Sequence, residues 1–276
     1  MKLQPSLVKT TAMEMGLTVE SPEKTRAPEF VERLRSENAD ALVVASYGQI
    51  LSQAVLDSAK RGGINLHGSL LPKYRGAAPI QRAILDQESM TGVTFMQMDK
   101  GMDTGDMIDV RATPIGQDET YGELQDRLAM IASDLALKWM PRIVEGDYPR
   151  EPQDSTRATM APKVEKADAE LSFDRPALSE YARFRAFTPS PGATVRTSVG
   201  MLKLSQVRNN VNSNSELRAP NSELRGTVMA INPLIVSFAE GALEFVELQP
   251  EGKKKMSGKD FGNGQRLKPG MNIKPN

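Results

Sequence analysis

The feature that most constrains the fold is an alternation of strand-like and helix-like segments through the first half of the chain. The run Ala41–Ser46 is continuously apolar, which is typical of a strand covered on both faces. Strands that alternate with helices predict a mostly parallel, helix-covered sheet, so we expect a Rossmann-like α/β domain here. The other predicted helices are Ser6–Met15, Glu29–Ser36, Ile50–Ala59, Pro79–Asp86 and Tyr121–Val144, and the other predicted strands are Gly63–His67, Thr91–Met98 and Asp106–Thr113.

The second half of the chain has a different pattern. Periodicity disappears between Glu145 and Phe173, which indicates a linker. Short strands separated by turn residues then favour a small, OB-like β-barrel. We therefore place a first domain at residues 1–148, a linker at 149–172 and a second domain at 173–276. Its predicted elements are a helix at Leu178–Phe187 and strands at Thr194–Val199, Leu202–Val207, Gly226–Asn232, Leu234–Phe238 and Ala242–Leu248.

A short duplication lies inside the second domain. Asn214–Arg218 recurs as Asn221–Arg225. The two copies begin seven residues apart. Because a single duplication with so short a period is far too small for a structural repeat, we interpret the pair as an expanded, solvated surface loop.

Composition excludes several classes of function. The 35 basic and 35 acidic side chains balance, so no global charge attracts nucleic acid or a membrane. The absence of cysteine excludes disulfides and thiolate metal sites and fits a reducing compartment. No apolar run approaches the roughly 20 residues needed to cross a bilayer, and the N-terminus lacks a secretory signal. We expect a cytoplasmic monomer with no membrane partner.

His67 is the only histidine of the chain. Histidine is the side chain whose unperturbed pKa lies closest to neutrality, so His67 is the first candidate for proton transfer. Asn65 lies two residues earlier on the same predicted strand, so both side chains project to one side of the sheet. Asp103, in the turn Gly101–Asp106, could accept a hydrogen bond from His67, and Asn65 could donate to an oxyanion. Amide, imidazole and carboxylate together suit acyl transfer to an amine.

Simpler interpretations of the same residues remain open. A lone histidine is more often structural than catalytic, and Asp103 could be an ordinary turn residue. One histidine without cysteine gives little support for a metal site. The sequence contains no glycine-rich dinucleotide or Walker-type loop, so it does not support a nucleotide cofactor.

Two segments resemble the signatures of the folate-dependent formyltransferases. These segments are Asn65–Gln81 and Met96–Asp106. The resemblance implies 10-formyltetrahydrofolate as co-substrate, no metal, and catalysis by Asn65, His67 and Asp103. It also implies that Asn65 and protonated His67 stabilise the oxyanion, while Asp103 aligns His67. The residues implied to line the folate pocket are Ser69, Leu70, Leu71 and Pro72.

Later segments narrow the choice of acceptor. Ala161–Lys163, Phe184–Ala193 and Leu248–Gly264 resemble the linker and C-terminal domain of those family members that act on tRNA. The resemblance implies formyl transfer to the methionyl amine of initiator tRNA, with the second domain binding the tRNA. Two alternatives stay open: a formyltransferase or deformylase with a small-molecule acceptor, and a non-catalytic RNA-binding remnant.

Basic side chains of the second half have two interpretations. They could contact phosphates, or they could simply form a solvated surface. The sequence pattern alone favours the solvated surface, whereas the resemblance favours tRNA contact. The residues concerned are Lys163, Lys166, Arg183, Arg185, Arg196, Lys203 and Lys253–Lys255.

The start of the chain differs from the family pattern. Family members have a strand, a helix and a second strand before the stretch matched by Lys2–Ser6. We therefore expect Met1 to be an internal methionine of a longer natural protein. For the chain as given we expect weak stability and little activity, because the first strand is central in such sheets.

Overall fold

The computed structural model describes residues 5–209 and 224–275, which form two sheets flanked by helices. The first copy of the duplication, Asn214–Arg218, and the start of the second lie outside the described residues, so the predicted surface loop stays a prediction. All the predicted helices and strands are present; the strand Gly63–His67 has both predicted ends, and the others have at least one end shifted. The largest change is the helix predicted at Ile50–Ala59, which spans only Gln53–Leu56.

The first sheet has the order β1-β2-β3-β4. Its strands are β1 (Leu42–Val44), β2 (Gly63–His67), β3 (Met90–Gln97) and β4 (Met107–Pro114). β1 is parallel to β2, whereas the pairs β2–β3 and β3–β4 are antiparallel. The α/β class is confirmed, but this sheet is mixed rather than mostly parallel. The short turn after β3 accounts for one reversal, because parallel neighbours need a longer crossover.

The same half of the chain contains five helices: α1 (Leu7–Glu14), α2 (Pro28–Ser36), α3 (Gln53–Leu56), α4 (Pro79–Leu85) and α5 (Tyr121–Glu145). α5 begins with a capping box of Thr120 and Glu123 and ends at Gly146 in the left-handed conformation. The fully buried core contains Ile64, Phe95, Leu124 and Leu135.

The expectation that β1 is covered on both faces is wrong within the described residues. Val43 in the middle of β1 is 49% exposed, while its neighbours Leu42 and Val44 are partly buried. An apolar run shows that a strand can be buried, but it does not identify what covers it.

The second sheet has the order β5-β6-β7-β10-β9-β8, and β11 pairs with β10. Helices α6 (Ala177–Ala186) and α7 (Gly258–Gly264) accompany it. Strands β5 and β8 do not pair within the described ranges, so no closed barrel is detected there. A strand pattern indicates where the longer strands lie, whereas closure of a barrel depends on strand tilt and stagger. The strands are β5 (Glu170–Leu171), β6 (Thr194–Thr197), β7 (Gly200–Asn209), β8 (Val228–Ile231), β9 (Leu234–Ser237), β10 (Ala242–Pro250) and β11 (Met256–Ser257).

The segment between the two sheets folds back on the first one. Glu151 and Met107 exchange two backbone hydrogen bonds of 2.8 and 2.9 Å. Farther along, the backbone N–H of Arg75 donates to the carbonyl of Thr159 at 2.8 Å, and that of Ala161 donates to the carbonyl of Arg75 at 2.7 Å. We call residues 151–161 the returning segment.

A buried arginine joins the two halves. Arg185 on α6 is 8% exposed and donates to the carbonyls of Gly116 and Glu119 at 3.1 and 3.3 Å. The Tyr181 hydroxyl, from the same helix, donates to Asp118 at 2.8 Å. The turn before α5 is therefore held by the second half of the chain.

Within residues 5–209 and 224–275, no helix combines the length and apolarity required to span a bilayer.

Candidate active site

His67 ends β2 and is buried, with 5% of its surface exposed. Its Nε2 lies 2.9 Å from the backbone oxygen of Tyr74. A carbonyl oxygen can only accept a hydrogen bond, so we assign the proton to Nε2. Nδ1 then faces the Oδ2 atom of Asp103 at 3.6 Å, which is too long for a direct hydrogen bond. Nδ1 is therefore the nitrogen that can exchange a proton.

Asn65 and Asp103 meet beside this imidazole. The Asn65 Nδ2 donates to Oδ1 of Asp103 at 3.3 Å, and the backbone N–H of Gly76 donates to Oδ2 at 2.8 Å. Asp103 itself has a φ of 52°, a left-handed conformation that is uncommon outside glycine. The structure thus brings together the three side chains that the sequence singled out.

Tyr74 is fixed from three directions. Its φ is 63°, and its backbone N–H donates to Oγ1 of Thr159 at 2.9 Å. Its hydroxyl donates to Oδ2 of Asp86 at 2.9 Å and lies 3.2 Å from Oε1 of Glu88. Burial raises the pKa of Tyr74, and the two carboxylates raise it further. The phenol therefore stays protonated and can donate to Asp86.

The four residues predicted to line a folate pocket form the turn directly after His67. Leu70 and Pro72 are partly exposed, whereas Ser69 and Leu71 are buried. The Ser69 hydroxyl donates to the carbonyl of Lys73 at 2.7 Å, so it stabilises the turn. The exposed apolar surface of this turn comes from Leu70 and Pro72.

Thr94 anchors this turn to the sheet. Its hydroxyl donates to the carbonyl of Ser69 at 2.7 Å and accepts from the N–H of Leu71 at 3.1 Å. Thr94 lies opposite His67 in the β2–β3 register, so the turn and the imidazole share one support.

Sequence reasoning missed four supporting residues: Tyr74, Gly76, Gln153 and Thr159. Gly76 had a detectable signal, since a glycine inside a turn often adopts a conformation closed to other residues. Its φ is 122°, and an added Cβ would lie 2.7 Å from the carbonyl oxygen of Ala161. Gln153 and Thr159 gave no local signal, because their role arises only when the returning segment packs on the sheet.

The proposed phosphate-contacting set is not uniform. Arg183 pairs with the fully buried Glu180 at 3.2 Å, and Arg185 is buried and donates to the carbonyl of Gly116. The expectation that these two form part of a phosphate-contacting face is therefore wrong. Arg196 pairs with Glu170, and Lys255 pairs with Glu247. The exposed remainder is Lys163, Lys166, Lys203, Lys253 and Lys254.

Among the described residues, no group of three or more histidine, aspartate and glutamate side chains is arranged to hold a metal ion.

Both parts of the chain match families of known proteins. Residues 2–144 match the formyl transferase family, and residues 163–266 match the formyl transferase C-terminal domain. Asn65, His67 and Asp103 lie within the first match, and the strands of the second sheet lie within the second. The chain belongs to the formyl transferase family.

Two relatives that resemble the chain over most of its length are both methionyl-tRNA formyltransferases. The chain is 44% identical over 262 residues to the methionyl-tRNA formyltransferase of Solibacter usitatus, which covers 95% of this chain and 82% of the relative. It is 43% identical over 277 residues to the methionyl-tRNA formyltransferase of Symbiobacterium thermophilum, covering 99% and 83%.

A solved structure shares the fold. It is the crystal structure of HypX from Aquifex aeolicus in complex with tetrahydrofolic acid, with a TM-score of 0.66 and 15% identity. The match covers 91% of this chain and 45% of HypX, so the chain spans about half of HypX.

Proposed function

We propose that this chain transfers a formyl group from 10-formyltetrahydrofolate to the amino group of methionyl initiator tRNA. The observation that carries the proposal is the meeting of Asn65, His67 and Asp103 at the end of β2. Extended similarity to relatives named methionyl-tRNA formyltransferase supports the choice of acceptor. Similarity to a fold solved with tetrahydrofolic acid agrees with a folate donor.

The three side chains have complementary roles in this reaction. When bound, the folate supplies an electrophilic formyl carbon, to which the methionyl nitrogen forms its bond. One Nδ2 hydrogen of Asn65 engages Asp103, and the second can donate to the formyl oxygen as negative charge develops there. His67 Nδ1 takes the proton that the amine loses, and Asp103 stabilises the resulting imidazolium. The same proton then leaves with the folate nitrogen as its bond to the formyl carbon breaks.

The turn Ser69–Pro72 fits a folate co-substrate. Leu70 and Pro72 present apolar surface directly beside the polar triad, which is the combination that a planar ring and its reactive group require. Ser69 and Leu71 contribute by holding the turn in shape.

The organisation of the chain suits a large acceptor. We assign catalysis to residues 1–148, the connection to 149–172 and tRNA binding to the strand-rich residues 173–276. Exposed Lys203, Lys253 and Lys254 on the second half are available to phosphates. We also propose that the protein acts as a cytoplasmic monomer, which sedimentation and cell fractionation would test.

The decisive experiment is a formyl-transfer assay with 10-formyltetrahydrofolate and charged initiator tRNA. His67→Ala is expected to lower kcat by about 100- to 10,000-fold, because it removes the group that moves the proton. Binding of tRNA, measured by filter retention, is expected to change little. Retained turnover would contradict the assignment of His67.

Two further outcomes would contradict the assignment of methionyl initiator tRNA as the acceptor. Transfer to a small amine but not to charged tRNA would identify a small-molecule formyltransferase. Binding of tRNA without transfer in the unmodified chain would identify an RNA-binding protein. Uncharged initiator tRNA is the matched negative control, because it lacks the methionyl group that carries the accepting amine.

A further inference from the structure

Gln153 lies in the returning segment, and its amide group contacts both loops of the site. Its Nε2 donates to the backbone carbonyls of Asp103 and Gly105 at 2.9 and 2.8 Å. Its Oε1 accepts from Nε and Nη2 of Arg75 at 3.1 and 2.7 Å. Carbonyls only accept and a guanidinium only donates, so the orientation of this amide is unambiguous.

The two loops joined by Gln153 hold the partners of His67. One loop carries the Asp103 carboxylate. The other carries Tyr74, whose carbonyl accepts from His67, and Gly76, whose N–H donates to Asp103. The distance between these loops therefore sets how Asp103 meets the imidazole.

The two groups that Gln153 connects, the Asp103 backbone and the Arg75 guanidinium, both need hydrogen-bonding partners to hold them in place. Asp103 has a left-handed backbone, which costs free energy and persists only when its surroundings enforce it. Arg75 is 7% exposed, and its guanidinium is held by Gln153 and by the Ser155 hydroxyl at 3.4 Å. One side-chain amide thus makes four hydrogen bonds across the interface between the loops.

We propose that Gln153 is a positioning residue that fixes Asp103 relative to His67, so that the returning segment is part of the catalytic machinery. The expected loss of kcat rests on the proposed function, whereas the expected change in the geometry of Asp103 and His67 does not. The side-chain hydrogen bonds of Gln153 go to Arg75 and to the Asp103 and Gly105 carbonyls rather than to the imidazole, so it acts through the backbone of the Asp103 loop.

Two substitutions distinguish a role in positioning the Asp103 loop from a role in which Gln153 only holds the Arg75 side chain. Gln153→Ala removes all four hydrogen bonds. Gln153→Glu keeps an oxygen for Arg75 but replaces the donor with a second oxygen facing two carbonyls. If Gln153 acts through the Asp103 loop, both variants lose kcat by about 10- to 100-fold, while KM for tRNA changes less than about threefold. If Gln153→Glu kept the kcat of the unmodified protein, the hydrogen bonds to the Asp103 loop would not be needed and the proposal would be overturned.

The matched control is Gln125→Ala, which removes an exposed glutamine from α5. We expect this variant to match the unmodified protein in turnover. Circular dichroism of all variants establishes that they fold. A folded Gln153→Ala with kcat within twofold of the unmodified protein would overturn the proposal.

A second measurement does not depend on activity. Because His67 is the only histidine, ¹⁵N-detected NMR gives one Nδ1 and one Nε2 resonance for the whole chain. Gln153→Ala is expected to shift the Nδ1 resonance, which reports the Asp103 side of the ring, whereas Gln125→Ala leaves it in place. An unchanged Nδ1 resonance would refute the positioning role, even if no formyl transfer were found. Absent formyl transfer with a shifted resonance would refute only the proposed function.

Discussion

At the scale of single residues, the site depends on backbone atoms as much as on the side chains that do chemistry. Tyr74 contributes its carbonyl and Gly76 its N–H, and both lie in a turn with positive φ angles. Such positions are invisible to a search for reactive side chains. They decide whether an imidazole and a carboxylate meet in a useful geometry.

The residue-scale prediction concerns Gly76→Ala. The new Cβ would lie 2.7 Å from the Ala161 oxygen, so the turn must move and the N–H must withdraw from Asp103. We expect a loss of about 1–3 kcal/mol in the free energy of unfolding and at least a tenfold loss of kcat. Urea unfolding and the formyl-transfer assay would measure the two effects.

Gly200→Ala is the matched control for this change. Gly200 has a φ of 114°, close to that of Gly76, but an added Cβ would meet no atom within 4 Å. It carries the same conformational penalty without the clash, so stability falls and kcat stays. Equal kcat losses in both variants would refute a specific role for the Gly76 turn.

At the scale of elements, sequence patterns predicted nearly all the helices and strands but not their directions. β2 was predicted with both ends correct because glycine precedes it and a turn follows it. The antiparallel course of β3 depends on packing against distant segments, which periodicity does not encode. β5 and β11 escaped prediction because two-residue strands have no period.

The element-scale prediction concerns the start of α5. Thr120 accepts from the N–H of Glu123, whose carboxylate accepts from the N–H of Thr120 in return. Thr120→Ala removes one half of this capping box and is expected to cost about 0.5–2 kcal/mol in thermal unfolding. Ser133→Ala, at an exposed position inside α5, is expected to be neutral or slightly stabilising. A cost no greater for Thr120→Ala than for Ser133→Ala would refute the capping role.

At the scale of the whole molecule, acid stability depends in part on Glu119, a carboxylate in the turn before α5 that Arg185 of the second half contacts. Burial alone would raise the pKa of Glu119, but hydrogen bonds from Arg127 and from the N–H of Gly116 outweigh it and lower that pKa. A pKa lowered by folding means that this stabilisation is complete above the ordinary glutamate value, about 4.3. It is lost as the pH falls through the folded value.

The whole-molecule prediction is that Glu119→Gln makes the free energy of unfolding less dependent on pH in the acid range. The variant is less stable at pH 7, where the charged contact is present, and its free energy of unfolding falls less steeply below about pH 4.3. Urea unfolding at a series of pH values measures both. Glu145→Gln, exposed at the end of α5, serves as the control. A slope equal to that of the unmodified chain would contradict the role of Glu119.

The returning segment also limits where the gene can be divided. Cutting at the sequence-based boundary after residue 148 would remove Gln153, Thr159 and Ala161 from the sheet that they brace. A catalytic fragment designed for expression must therefore run through residue 161, although those residues precede the second sheet. The unit that a geneticist would exchange between relatives is thus longer than the unit that a strand-and-helix pattern outlines.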